Sequence, residues 1–255
     1  MNGTGRFLEF AVRAPDILSS LSFYKSLGFT EIDTGDVYDH KYAVVSDGDL
    51  NLGLHDLDQP SPRMTFVQPD IAKHARSMLD HGFEFSRIML DDDVFNQLEL
   101  EDPDRNVLAM LEARTFNLAP DDTGDSACGT WFEMTLPVRD TIRAARFWAA
   151  VAPKVSEVRE EPTMHMRFDA GGAALGLSES IALEGPSLCF KCDDRDELTR
   201  RLQLAGIEAD TYPGFEGAFA RITAPEGTPL YLFPEDFLGE AYEVEESDDL
   251  TEFPR

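Results

Sequence analysis

The chain reads as an α+β protein built by tandem duplication, with four βαβββ modules grouped as two halves of two modules each. Three observations predict this. One order of elements, an apolar strand, a helix and then short strands joined by tight turns, recurs four times. A single module of roughly 50 to 60 residues buries too little surface to stand alone, so the modules must pair. The 255 residues are 42% hydrophobic and include 18 Phe, which suffices for two cores of about 110 to 130 residues each.

The first copy opens with the strand Phe7-Leu8-Glu9-Phe10-Ala11-Val12. Pro15-Asp16 then starts a helix with Ile17, Leu18, Leu21, Tyr24 and Leu27 at helical spacing, closed by Gly28. Strands at Tyr42 to Ser46 and Leu50 to His55 flank Asp47-Gly48, a hairpin signal. The second copy has a strand at Met64 to Val67, a helix from Asp70 to Leu79 before Gly82, and strands near Phe95 to Leu100 and Val107 to Leu111 around the turn Asp102-Pro-Asp-Arg-Asn106. The third starts at Trp131-Phe-Glu-Met-Thr-Leu136, carries a helix at Asp140 to Ala150 and ends on Ala173-Ala-Leu-Gly-Leu177, an echo of Leu50-Asn-Leu-Gly-Leu54. The fourth runs from Leu188 to Lys191 through a helix at Asp194 to Leu204 and Gly206, to strands near Phe219 and at Leu230 to Phe233, with Pro225-Glu-Gly-Thr as its turn. The expected organisation is a first domain at 1–115, a linker at 116–129, a second domain at 130–235 and an acidic tail at 236–255, surface-bound or disordered.

Composition narrows the partners. With 22 Lys+Arg against 49 Asp+Glu the net charge is −27, which repels nucleic acid and anionic membranes alike. No run of about 18 uncharged apolar residues and no signal peptide is evident, so a cytoplasmic location is expected. Lysine is confined to Lys25, Lys41, Lys73, Lys154 and Lys191, a bias that fits a salt-adapted cytoplasm or a GC-rich genome. Three cysteines point to free thiols, and Cys189-Phe-Lys-Cys192 sits on a strand where residues three apart face opposite ways, so it is read as structural. Asp91-Asp-Asp93 lacks calcium-ligand spacing and reads as a solvated turn.

Ala14-Pro-Asp16, Leu21-Ser-Phe-Tyr24 and Leu27-Gly-Phe29, with Asp102-Pro-Asp104 and Pro225-Glu-Gly227 near the ends of the two halves, resemble the vicinal oxygen chelate superfamily of glyoxalases, bleomycin-resistance proteins and extradiol dioxygenases. The likeness covers nearly the whole chain outside the linker and tail. It implies that paired modules curve into a cup, where a divalent ion is held by inward His, Glu or Gln side chains from the first and last strands of the modules. The first-strand positions match Phe7, Arg63, Trp131 and Ser187, and the last-strand positions Gly53, Ala109, Gly176 and Tyr231. None is a customary ligand. The expectation is therefore a protein of this type without metal and without any other cofactor.

Alternation on the first strand puts Phe7, Glu9 and Ala11 on one face and the apolar Leu8, Phe10 and Val12 toward the helix, so Glu9 enters the cup. By the same reasoning Trp131, Glu133 and Thr135 enter the second cup. A carboxylate there is desolvated, which raises its pKa and suits it to take a proton or grip a ligand. Since first and last strands are neighbours in the family topology, His55 is expected beside Glu9 and Ser178 beside Glu133. Two readings stay open at each place: Glu9 with His55 as a proton-transfer pair, or the glutamates tied to Arg side chains such as Arg63 in an inert junction with His55 solvated. His40, His74 and His81 fall on loop or helix surfaces and His165 on an edge. Phe7, Arg63, Leu111, Trp131 and Tyr231, with Glu9 and Glu133, are the candidate ligand-binding residues, and the aromatic ones could equally be core filler. The first half has the richer set and is expected to keep the activity. The functional expectation is a metal-independent binder of a small aromatic or heterocyclic molecule, working as a monomer with pseudo-dimeric halves or a homodimer. The alternative is a metal-independent isomerase, lyase or hydrolase using Glu9 and His55.

Overall fold

A computed structural model describes residues 5–33, 40–91, 96–112, 126–151, 154–160, 163–210, 219–234 and 242–243. The first half comprises β1 (Arg6–Arg13), α1 (Ile17–Ser26), β2 (Thr30–Ile32), β3 (Tyr42–Ser46) and β4 (Asn51–His55), then β5 (Arg63–Gln68), α2 (Ile71–Asp80), β6 (Arg87–Met89), β7 (Gln97–Glu101) and β8 (Val107–Glu112). The second half repeats the series with β9 (Thr130–Pro137), α3 (Thr141–Val151), β10 (Lys154–Arg159), β11 (His165–Ala170) and β12 (Ala173–Ser178). It continues with β13 (Ser187–Cys192), α4 (Arg195–Leu204), β14 (Ala220–Thr223) and β15 (Pro229–Pro234). A short β16 (Tyr242–Glu243) follows. The fold is therefore the expected α+β duplication of paired βαβββ modules.

Each half forms one eight-stranded mixed sheet, ordered β2-β3-β4-β1-β5-β8-β7-β6 and β14-β15-β13-β9-β12-β11-β10-β16. The modules join through their first strands, β1 antiparallel to β5 and β9 antiparallel to β13. Each first strand also runs parallel to its own module's last strand, as β1 does to β4 and β9 to β12. This places first and last strands side by side, which is what lets one site draw on both. Strands β2, β6, β10 and β11 have no counterpart among the strands read from the sequence; two of them are three-residue segments too short to show a period. The acidic tail contributes β16, which pairs antiparallel with β10. Residues 113–125, most of the expected linker, lie outside the described residues, as does Asp92-Asp93 of the acidic turn.

The helices start and stop where the sequence signals. Asp16 caps α1 by accepting from Ser19 N, and Asp194 caps α4 by accepting from Asp196 N and Glu197 N, satisfying donors that a helix start leaves free. Gly28 and Gly82 follow α1 and α2 at φ 92° and 84°, a left-handed conformation that a side chain would strain.

The faces that meet the helices form one continuous core shared by both halves, including Phe10, Leu52, Phe66, Trp148, Phe168 and Phe190. The halves meet through two matching contacts. Tyr24 Oη on α1 donates to Glu226 Oε1 at 2.7 Å, and Trp148 Nε1 on α3 donates to Asp102 Oδ2 at 3.1 Å. In each case an aromatic residue of one half's helix grips an acid in the other half's closing turn, and Ser20 Oγ adds a 2.6 Å bond to Glu226 Oε2. Among the described residues no helix is long and apolar enough to cross a membrane.

Candidate functional site

On the face of each sheet away from the helices lies a second, smaller set of buried side chains, and these line the two cups. In the first half they are Leu8, Val44, Val67 and Leu111, with Ile32 and Tyr42 against them. In the second half they are Phe132, Ala182, Cys189, Phe219 and Tyr231, with Leu183 and Phe233. Leu111 and Tyr231 thus stand on the expected face. Phe7 and Trp131 do not. A β-bulge between Phe7 and Glu9 inserts Leu8 as an extra residue, and a matching irregularity inserts Phe132 before Glu133. Simple alternation breaks at the bulge. Phe7 and Trp131 therefore turn to the helix-side core, edge-on to Phe66 at 5.6 Å and to Phe190 at 5.5 Å, while Leu8 and Phe132 take the cup.

Glu9 and Glu133 do enter the cups, each 1% exposed. Tyr42 Oη donates to Glu9 Oε2 at 2.7 Å, and His55 Nε2 lies 3.0 Å from Glu9 Oε1. A carboxylate only accepts, so His55 donates from Nε2, and in the neutral ring Nδ1 becomes an acceptor. His40 Nε2 supplies that donor at 3.0 Å from His55 Nδ1. The result is a chain, Glu9 to His55 to His40, running outward from the buried carboxylate. His55, at 2% exposure, is buried rather than solvated, and His40 belongs to the site. Arg63, also buried, extends Nη1 to Glu99 Oε1 at 3.2 Å.

In the second cup Thr135 Oγ1 donates to Glu133 Oε1 at 2.7 Å, His165 Nε2 lies 3.0 Å from the same oxygen, and Arg167 Nε is 3.8 Å from Oε2. Burial alone pushes the Glu133 carboxyl upward, yet the charge and hydrogen bond of His165, with Thr135 and Arg167, hold it below the usual glutamate range. This reverses the raised pKa expected from desolvation. The partner is also not the one expected. Ser178 accepts from Ser180 N, and the histidine comes from β11, an inner strand rather than an edge.

Beneath each carboxylate is a glycine. A Cβ built on Gly53 would stand 2.2 Å from Glu9 Oε2, and one on Gly176 2.2 Å from Glu133 Oε1. Gly53 and Gly176, two of the four last-strand positions that the resemblance assigns to metal ligands, therefore carry no side chain, and the space above them holds a carboxylate satisfied by protein donors. Of the other assigned positions, Ala109 offers no donor atom, Tyr231 Oη donates to Ala182 O at 2.7 Å, and Ser187 Oγ donates to Gly185 O at 2.6 Å. These residues do not fit a divalent ion. Among the described residues no cluster of three or more His, Cys, Asp or Glu forms a metal site. Cys189 and Cys192 fall on opposite faces, in the cup and in the helix-side core, and burial pushes the Cys189 thiol up.

The pairing registers put the two cups in correspondence. Glu9 faces Thr65 as Glu133 faces Cys189, and Val44 faces Gly53 as Arg167 faces Gly176. By the same registers Val67, Ala109 and Leu111 match Lys191, Tyr231 and Phe233, and Leu8 matches Phe132. Glu99, opposite Ala109, matches Arg221, opposite Tyr231. Tyr42 and His165 also share a place, each opposite the strand-end residue, His55 or Ser178. The aliphatic wall of the first cup is thus aromatic and cationic in the second. The sequence held a signal for this, since Tyr42-Ala-Val44 and His165-Met-Arg167 precede the two Leu-Gly-Leu echoes at matched spacing.

Comparison with protein-family models and with curated protein sequences gives no match. Solved structures do match in shape. The 2,3-dioxygenase LapB from Pseudomonas sp. KL28 superposes with a TM-score of 0.62 at 12% identity, covering 96% of this chain and 95% of that one. A catechol 2,3-dioxygenase gives 0.58 at 12%, covering 91% and 87%. The E323L mutant of homoprotocatechuate 2,3-dioxygenase from Brevibacterium fuscum gives 0.61 at 15%, covering 96% and 74%. The chain has the fold of the extradiol dioxygenases, that of the vicinal oxygen chelate superfamily. At such identity the likeness speaks for the fold, and function has to be argued from the site.

Proposed function

We propose that this protein is a metal-independent small-molecule binder of the glyoxalase and bleomycin-resistance type, acting in the cytoplasm, and that its second-half cup holds a small aromatic or heterocyclic ligand. The observation that carries the reading is the pair of glutamates lying over Gly53 and Gly176, where the fold elsewhere keeps a cation. Aromatic side chains gather in the second cup, with Tyr231 and Phe233 stacked at 6.0 Å and Phe219 at 5.6 Å from Tyr231. Such walls with a few polar groups are what small organic ligands occupy. This moves the expected site from the first half to the second. After dialysis against a chelator, one uncharged aromatic probe, 2-naphthamide, should still bind per chain, and Phe233→Ala should weaken it about tenfold. A requirement for added Fe(II), Mn(II) or Zn(II) overturns the reading.

A second reading rests on the chain Glu9, His55 and His40, which is arranged to pass a proton between the half-buried His40 and the carboxylate. It makes the first half a metal-independent isomerase, lyase or hydrolase with Glu9 and His55 as catalytic residues. Glu9→Gln would then abolish turnover and leave ligand affinity largely unchanged.

A further inference from the structure

The cationic side chains of the second cup converge on one ring. Lys191 Nζ lies 4.2 Å, Arg167 Cζ 4.6 Å and Arg159 Cζ 5.3 Å from the centroid of Phe132. In a chain with 22 basic against 49 acidic side chains and only five lysines, three cations at one buried ring stand out, although two of them also face carboxylates, Arg159 that of Glu157 and Arg167 that of Glu133. The corresponding places in the first cup hold Leu8 for Phe132, Val44 for Arg167 and Val67 for Lys191, so the fold itself does not call for charge there. Aliphatic side chains fill those positions.

Arg167 Nη2 donates to Phe132 O at 2.7 Å, and its Nε faces Glu133. Arg159 is 6% exposed and forms an ion pair with Glu157, yet its buried Nε has no hydrogen-bond acceptor. A buried guanidinium donor without an acceptor costs about 1 to 3 kcal/mol. Cations over an aromatic face are attracted to it, but the ring supplies no full negative charge. A ligand carrying an anionic group set against Arg159 provides the acceptor its Nε lacks, and the adjoining half-buried Phe233, backed by Phe219 and Tyr231, flanks its apolar body.

We propose that the second-half cup is selective for small aromatic anions, a carboxylate on an aromatic or heteroaromatic ring being the simplest. Arg159, Arg167 and Lys191 form the charged wall at Phe132. The inference rests on the ligand-binding reading of this cup and specifies the charge of the ligand.

The test titrates the full chain with 2-naphthoate, 2-naphthamide and 2-naphthylmethylamine, three probes of one shape and different charge, by calorimetry or naphthalene fluorescence. The naphthoate should bind once per chain at least about tenfold more tightly than the amide, with affinity falling as salt rises, and the amine should bind more weakly than either. Lys191→Met, at a half-buried position that tolerates change better than Arg159, should cost the naphthoate about tenfold and leave the amide within about twofold. Arg159→Gln, accepted only if its circular dichroism matches the parent, should act the same way and more strongly. Equal affinity for naphthoate and amide, or a Lys191→Met variant with unchanged naphthoate affinity, overturns the anion preference while leaving an aromatic site standing. Failure of all three probes to bind sinks the binding reading itself.

Discussion

The two cups differ in what surrounds a shared frame. Both put a first-strand glutamate over a last-strand glycine, and both give the carboxylate a hydroxyl and an imidazole. In the first half the hydroxyl comes from Tyr42 on β3 and the imidazole from His55 on β4. In the second the imidazole comes from His165, at the register place of Tyr42, and the hydroxyl from Thr135 on the first strand itself. A buried carboxylate needs charge-assisted donors, but it does not dictate which strand supplies them. The two halves share the requirement and meet it differently. Around that frame the first cup is mainly aliphatic, and the second is aromatic and cationic.

Three perturbations test this comparison. The largest effect is expected from His165→Ala, which strips the imidazole from a fully buried glutamate and should destabilise the protein by about 3 to 5 kcal/mol in urea unfolding. The loss should shrink markedly in a Glu133→Gln background, because the charge needing the partner is gone. Additive effects would mean that His165 supports packing rather than the carboxylate.

The glycines come next. Gly176→Ala places its Cβ against Glu133 Oε1 and 2.7 Å from His165 Cε1, whereas the three atoms nearest a Cβ at Gly53 all belong to the Glu9 carboxylate. Both should destabilise by about 1 to 3 kcal/mol as the buried carboxylate is pushed off its donors. Gly176→Ala should be the worse, measured by thermal unfolding. A neutral result at Gly53 would show that Glu9 has room to move aside.

The smallest effect is in pH dependence. The Glu133 carboxyl titrates lower in the folded chain than its ordinary range. Its contribution is therefore fully present above that range and is lost as the pH falls through the depressed value. Unfolding midpoints followed from neutral pH into acid should decline on that limb, and Glu133→Gln should flatten the decline. An unchanged acid limb would remove Glu133 as its source.

Much of the fold was legible because it repeats. Helix caps such as Asp16 and Asp194, the glycine stops and the apolar strands each obey local rules, and four copies of one order made the module plain. The inward direction of Glu9 and Glu133 followed from alternation, and that of Tyr231 from the last-strand position the resemblance assigns to it. Phe7 and Trp131 did not, because a bulge is decided by how two distant strands register against each other. His40 and His165 were missed for a related reason. Each reaches its partner across the sheet, His165 from a position 32 residues from Glu133.

By itself the sequence determined the modules, their pairing, the strong negative charge and the placing of a carboxylate in each cup, since these depend on period, turn chemistry and composition. Only the tertiary structure decided which face Phe7, Leu8, Trp131 and Phe132 occupy, which imidazole serves which glutamate, and that three cations meet at one ring. Such contacts are fixed by strand register and by a bulge in each half, and a slip of one residue reverses every side chain beyond it.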